Sequence, residues 1–301
     1  MSISAYIPTY WRRMLLENLR DAHVFGKLCS SEYEGEIKAE GDTVKIFTVG
    51  RPTISTYTKN SSSLTYERLQ IAEQTLTIDT GRSFSFKVDD VDKVQTKASV
   101  MEEATREAAW GLSDASDAAI AAAISAGVAT SSPDQRIQAG NDLVVGSGPG
   151  DYNAFEMLVD LNTLLTEQNT PATGRVAVVP PWFASALLKD PRFSSFGTPS
   201  SMDNMKNGIF NLTEVMFPLI GMRVHISNNV TVTGTGATRV FTINAWHPSA
   251  VAFAEQIPIG MPEAVRIQED FSDALRGLYL FGHKVLRPNN IVALDCLNGA
   301  A

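Results

Sequence analysis

Apolar positions along the chain change their period from one stretch to the next, and each change predicts a different element. Over residues 88–127 no proline interrupts, and Val91, Val94, Ala98, Met101, Thr105, Ala108, Leu112, Ala115, Ala119 and Ala122 recur at alternating steps of three and four. That spacing predicts one long helix of roughly 50 Å at about 1.5 Å per residue. Asp89 and Asp90 offer N-cap oxygens at its start, and Gly127 with Pro133 offers the stop. The stripe passes from Val and Met to Ala along its length. Small side chains let a neighbouring backbone approach, so the C-terminal half is expected to lie on a sheet, with Glu102, Glu103, Arg106, Glu107, Asp114 and Asp117 solvated.

Ahead of that helix the period is two. Residues 43–46 alternate as a strand leading out, and residues 75–79 and 83–88 alternate as strands leading back, together the arms of a hairpin. Residues 51–70 join the arms, rich in Thr, Ser, Tyr, Lys and Asn and too long for a turn. With no apolar cluster of its own, the hairpin is expected to project and to be held by a partner. Nearer the N-terminus, Thr9 can cap a short helix with Trp11, Leu15 and Leu19 on one face and Gly26 at its end. A helix that short needs its apolar face docked.

Beyond the long helix, strands and helices alternate in a compact α/β unit. Asp151 is the expected cap of a helix bearing Phe155, Leu158, Leu161 and Leu165, followed by the buried-type strand Arg175–Val179. Pro181 suits the first turn of a helix with Phe183 and Leu187 on one face. Residues 207–217 look like loop, Met222–Ile226 alternates as a strand, and residues 230–243 form a hairpin around Gly234-Thr235-Gly236. Residues 251–254 make a further apolar strand. Residues 264–268, 275–286 and 291–294 are the strands left for the long helix to cover, which makes the fold class α+β.

Composition narrows the functions open to such a chain. Its 301 residues suffice for one large or two modest domains, and 44% hydrophobic with 19% charged residues is globular rather than disordered. A formal charge of -8, with Lys and Arg scattered, argues against a broad nucleic-acid-binding surface. Cys29 and Cys296 stand far apart without metal-site or disulfide-scaffold spacing and are expected to be buried thiols. No apolar run approaches the roughly 20 residues of a membrane span. Catalytic motifs are missing: no HExxH, no GxSxG elbow and no Rossmann glycine pattern after a strand. The glycines of residues 146–150 lack the Lys-Ser/Thr ending of a phosphate loop, and His23, His225, His247 and His283 are too scattered to suggest a base or a ligand set. The expectation is no enzyme, no cofactor and no metal.

The order of these parts, with several short motifs, resembles a known family. The motifs include Leu15-Leu16-Glu17-Asn18-Leu19 with Val24-Phe25-Gly26, Gly41-Asp42-Thr43-Val44-Lys45-Ile46, and Phe84-Ser85-Phe86-Lys87-Val88-Asp89-Asp90. Further on come Val178-Val179-Pro180-Pro181-Trp182-Phe183, Leu187-Leu188-Lys189-Asp190-Pro191-Arg192-Phe193, Ser227-Asn228-Asn229 and Arg276-Gly277-Leu278-Tyr279-Leu280-Phe281-Gly282. Together they resemble the major capsid proteins of tailed bacteriophages with the HK97 fold, in particular the P22 coat-protein-like branch. The resemblance implies an N-terminal arm (1–35), an E-loop hairpin (36–86), a P domain with its spine helix (87–150), an A domain (151–256) and C-terminal P-domain strands (257–301). It departs from P22-like coats in leaving no room for their inserted domain within residues 210–230, and in having no long helical extension before Tyr6.

The implied function is a structural coat protein that self-assembles into an icosahedral head shell enclosing double-stranded DNA. An encapsulin-like cellular compartment shell is the alternative. The implied partners are copies of itself in hexamers and pentamers, a separate scaffolding protein, a portal, a decoration protein and packaged DNA held without specificity, with no membrane. The implied location is the virion capsid after assembly in the host bacterial cytoplasm. Tyr57, Lys59, Tyr66, Glu67 and Arg68 of the loop, and Arg12 and Arg13 of the arm, are the candidate intersubunit contacts.

Overall fold

The computed structural model describes residues 23–32, 43–49, 52–54, 56, 58–59, 66, 68, 71–89, 99–129, 135–138, 143–146, 150–189, 214–217, 221–256, 263–267 and 272–299. In chain order the elements are α1 (Phe25–Leu28), β1 (Thr43–Val49), β2 (Ile71–Thr77), β3 (Thr80–Asp89), α2 (Ser99–Ala129), β4 (Arg136–Gln138) and β5 (Val144–Val145). There follow α3 (Ala154–Glu167), β6 (Arg175–Val179), α4 (Pro181–Lys189), β7 (Glu214–Phe217), β8 (Met222–Ile226), β9 (Thr231–Thr233) and β10 (Val240–Trp246). The chain closes with β11 (Val251–Gln256), β12 (Glu263–Arg266), β13 (Ser272–Val285) and β14 (Ile291–Asn298).

Helix α2 is the expected spine, with three differences in detail. Asp89 is no cap: it ends β3 opposite Ser272, and residues 90–98 lie outside the described residues. Gly127 is no stop either. It sits inside the last turns, where an added Cβ would come within 3.0 Å of Val285, so the glycine lets helix and β13 touch. The buried face is Thr105, Ala109, Leu112, Ser113, Ser116, Asp117, Ile120, Ala121, Ile124, Ser125 and Val128 rather than the stripe through Ala115 and Ala122. Alanines occur all round this helix, so they could not point to a side; Ile120, Ile124 and Val128 carry the aliphatic contact. Asp117, expected in solvent, is 1% exposed.

That face lies between two sheets. On one side β3 runs antiparallel along β13, from Asp89 opposite Ser272 to Thr80 opposite Phe281, with β11 and β12 also on β13. On the other side is an eight-stranded sheet of order β4-β14-β10-β6-β8-β7, with β5 on β14 and β9 on β10. Residues 83–88 therefore belong with the C-terminal strands and not with the hairpin. In the reverse sense β14, expected beside them, pairs with β10 and β4 in the large sheet. Ser125 Oγ donates to Thr231 Oγ1 at 3.0 Å and receives Asn244 Nδ2 at 3.0 Å, fastening α2 to β9 and β10.

The large sheet carries its own core under α3 and α4. Leu158, Leu161, Leu165, Phe183 and Leu187 pack on Ala177, Val179, Val224, Ile243 and Leu294. Asn153, not Asp151, caps α3: its Oδ1 accepts from Phe155 N at 2.8 Å. Arg175 is buried at the start of β6 and donates to the carbonyls of Thr170 (2.6 Å) and Pro171 (2.9 Å) and to Thr166 Oγ1 (2.8 Å), so its charge ties the end of α3 to the strand. Residues 207–217 are not all loop, since Glu214–Phe217 pairs antiparallel with β8. The hairpin expected around Gly234 and Gly236 is present, as β9 on β10.

Candidate assembly surfaces

The hairpin is built from alternation. On β1 and β2, paired from Thr43 opposite Thr77 to Val49 opposite Ile71, one face presents Val44, Ile46 and Leu76. With Ile78 these side chains pack on Ala252, Ala254 and Leu286, and Gln74 Nε2 donates to the Leu286 carbonyl at 3.1 Å. The hairpin thus has an apolar cluster after all, shared with β11, because period two puts its aliphatic residues on one side. Its other face is open, with a Lys45–Glu73 ion pair at 2.6 Å and Phe47 62% exposed.

Past the docked base, nothing described covers the loop. Ile54 is 92% exposed and Tyr66 93%, and Lys59 and Arg68 are exposed with no ion pair among the described residues. Tyr57, Glu67, Arg12 and Arg13 lie outside the described residues. Of the expected contact residues, Lys59, Tyr66 and Arg68 are therefore found on the open part of the loop.

A second surface joins the N-terminal segment to the spine. Gly26, expected to end a helix, lies within α1 and sends its amide to Asp117 Oδ1 at 3.1 Å, while Val24 N donates to Asp117 Oδ2 at 2.7 Å. His23, expected at the surface or in a structural role, is buried with Nδ1 3.1 Å from Asp117 Oδ1 and Nε2 3.7 Å from Glu255 Oε2. Tyr279 OH donates to Glu255 Oε2 at 3.0 Å, and burial with the Glu255 charge raises its pKa. Arm, helix, β11 and β13 thus meet at one buried polar cluster. Its residues lie far apart in sequence, so no local motif could have revealed it.

Among the described residues the remaining titratable groups do not converge on one site. Cys29 and Cys296 are buried free thiols whose pKa values desolvation pushes up, that of Cys296 to about 12, so neither is poised as a nucleophile. His247 caps a single 3-10 turn at Ser249, and His283 stacks on Phe281 with ring centroids 6.2 Å apart. Asp295 receives Arg136 at 2.6 and 2.9 Å and Thr242 Oγ1 at 2.7 Å, a structural clamp between β4, β10 and β14. Among the described residues no group of His, Cys, Asp and Glu could hold a metal ion, and no helix is long and apolar enough to cross a membrane.

Against that geometry, a family model described as phage capsid protein matches residues 72–294, from the return arm of the hairpin to the middle of β14. The chain belongs to the phage capsid protein family. No curated protein matches it. Among solved structures, one from Mycobacterium phage Che8 is 28% identical, covers 90% of each chain and superposes with a TM-score of 0.66. The capsid structure of cyanophage P-SCSP1u is 17% identical with a TM-score of 0.66, covering 92% of this chain and 89% of its own. A virus-like particle from Pyrococcus furiosus is 12% identical with a TM-score of 0.54, covering 95% and 98%. The last two likenesses are of fold alone. The α+β fold with its long spine helix is the HK97-like capsid fold, and the capsid protein is a shell subunit whose place is the virion. The match is at the level of the phage capsid family, without assignment to the P22-like branch.

Proposed function

We propose that the capsid protein builds its shell through the loop of residues 51–70, which reaches onto neighbouring copies. The observation that carries this is the contrast along one hairpin: its base is packed on β11, while Ile54 and Tyr66 beyond it are almost wholly exposed. A long loop that leaves an aliphatic and an aromatic side chain exposed is costly to order in isolation, and interfaces favour such residues. Tyr57, Lys59, Tyr66, Glu67 and Arg68 are the proposed contacts on the loop, and Arg12 and Arg13 those on the arm.

The same reading makes the subunit structural rather than catalytic, arranged in hexamers and pentamers. A scaffolding protein guides its assembly in the host cytoplasm, a portal occupies a vertex, and a decoration protein is a further outer partner. Arm, E-loop, P and A domains follow the divisions given above, except that β3 and β11 join the sheet of β13 and β14 joins the large sheet. With a net charge of -8, the inner wall holds packaged DNA by confinement rather than by affinity. The encapsulin-like alternative has less support, because the family match is to phage capsid proteins. Negative-stain microscopy of the expressed chain, alone and with its scaffolding protein, tests the proposal: closed shells are expected, and dispersed subunits under both conditions would count against it. Tight, salt-sensitive binding of free duplex by the isolated subunit would overturn the confinement of DNA.

A further inference from the structure

The solvent side of α2 carries a stripe that the hairpin base does not use and that runs beside the arm junction, whose Val24 and Asp117 line the same groove. Glu103, Glu107, Trp110 and Asp114 follow at steps of four, three and four and so form one stripe. Trp110 is 60% exposed in the middle of it, and Gly111 beside it has nothing within 4 Å of where a Cβ would stand. The stripe borders a groove of about 240 Å³ whose lining includes Trp110, Ser113 and Asp114 of α2 and Ser227, Asn228 and Asn229 beyond β8. Ser113, another lining residue, is 2% exposed, and its hydroxyl has no hydrogen-bond partner among the described residues. A buried hydroxyl in that state is an acceptor and donor in want of a ligand.

The chemistry of the groove selects a cation. It offers carboxylates on Asp114 and Asp117, the side-chain oxygen of Asn228 and the ring of Trp110, and no lining residue among the described residues is basic. Arg106, exposed on the preceding turn, is the nearest basic residue on the helix. A planar guanidinium suits such a site better than an ammonium, because it stacks on an indole while pairing with a carboxylate. The loop of the hairpin supplies one. Residues 51–70 hold Arg51, Lys59 and Arg68 against Glu67, whereas residues 103–114 hold Glu103, Glu107 and Asp114 against Arg106, so the two stretches are of opposite charge.

We propose that this groove receives the Arg68 side chain of a second copy of the chain, stacked on Trp110 and paired with Asp114. The inference rests on the loop being the intersubunit arm and adds where the arm lands. The full-length protein tests it by charge exchange. Asp114→Arg and Arg68→Glu alone should each lower the yield of closed shells at least about tenfold while leaving far-ultraviolet circular dichroism unchanged, and the two together should restore most of it. Normal assembly of either single variant, or no recovery in the double, overturns the proposal.

Because Asp114 is half-buried, a second measurement covers the case in which Asp114→Arg fails to fold. Arg68→Cys with Asn228→Cys, oxidised after assembly, should give covalently linked subunits on a non-reducing gel, and neither single variant should. No linkage, or linkage of the groove cysteine to anything other than the loop of a neighbouring copy, overturns it. If a chain without the loop fails to assemble while Asp114→Arg assembles normally, the loop remains the arm and the groove is not its receptor. If both assemble, the loop itself is misread.

Discussion

The α/β unit around α3 and the loop of the hairpin solve opposite problems. The unit satisfies itself: Leu158, Leu161 and Leu165 are wholly buried, Asn153 caps the helix, and even Arg175 finds carbonyl and hydroxyl partners inside the fold. The loop leaves Ile54, Tyr66, Lys59 and Arg68 open. On the proposed reading, what a region leaves unsatisfied in one copy marks what it does between copies, so the unit serves folding and the loop assembly. The arm junction at His23 and Asp117 stands between them, buried in one subunit and built from residues far apart in sequence.

Substitutions should separate the three in order of size. Asp117→Ala removes the acceptor for two backbone amides and leaves His23 without its nearest carboxylate, all in a buried site. It should destabilise the subunit by about 3–5 kcal/mol in denaturant unfolding. Asp117→Asn, which keeps an acceptor, should cost less, and equal costs would mean that the charge plays no part.

Leu161→Ala opens a cavity beneath α3 and should cost about 2–5 kcal/mol. Ile54→Ser and Tyr66→Ser should fall within about 0.5 kcal/mol of wild type in the same experiment, since they uncover nothing within the subunit. A large loss of monomer stability from either loop substitution would dissolve the distinction.

The smallest effect concerns pH. Burial lowers the pKa of His283 from its ordinary 6.5, with Asp79 pulling the other way, and its Nδ1 has no hydrogen-bond partner among the described residues. The unfolded chain then binds this proton first as pH falls. Stability is complete above the unfolded value, declines as pH falls through about 6.5 and levels off below the folded value. His283→Gln should flatten that part of the profile between about pH 7 and pH 5, and an unaltered profile would mean that the imidazole is solvated in the folded state.

Much of this was legible in the chain. Period two and period 3.6 marked every long element, and the run Arg175–Val179, apolar without alternation, announced a strand buried on both faces. Other features lacked a local signal. Alanines on all sides of α2 hid which face it buries, and Asp117 looked like any helix-surface carboxylate because its partners, His23 and Glu255, are far away in sequence. The sheet membership of β3, β11 and β14 is decided by pairing between distant segments, which alternation alone does not specify. Of the candidate site, the loop stood out through its length and polarity. The groove did not, since an indole set between Glu107 and Asp114 gives no sign in the sequence of whether it is buried or exposed.

The division of labour between core and loop is tested most directly by replacing residues 53–69 with a short Gly/Asn turn. The trimmed protein should keep the far-ultraviolet circular dichroism and unfolding midpoint of the intact subunit, because the hairpin base, α2 and the α/β unit keep their packing without the loop. It should form no closed shells in negative-stain images, with or without scaffolding protein. Normal shells from the trimmed protein, or a trimmed protein that does not fold, would contradict the account.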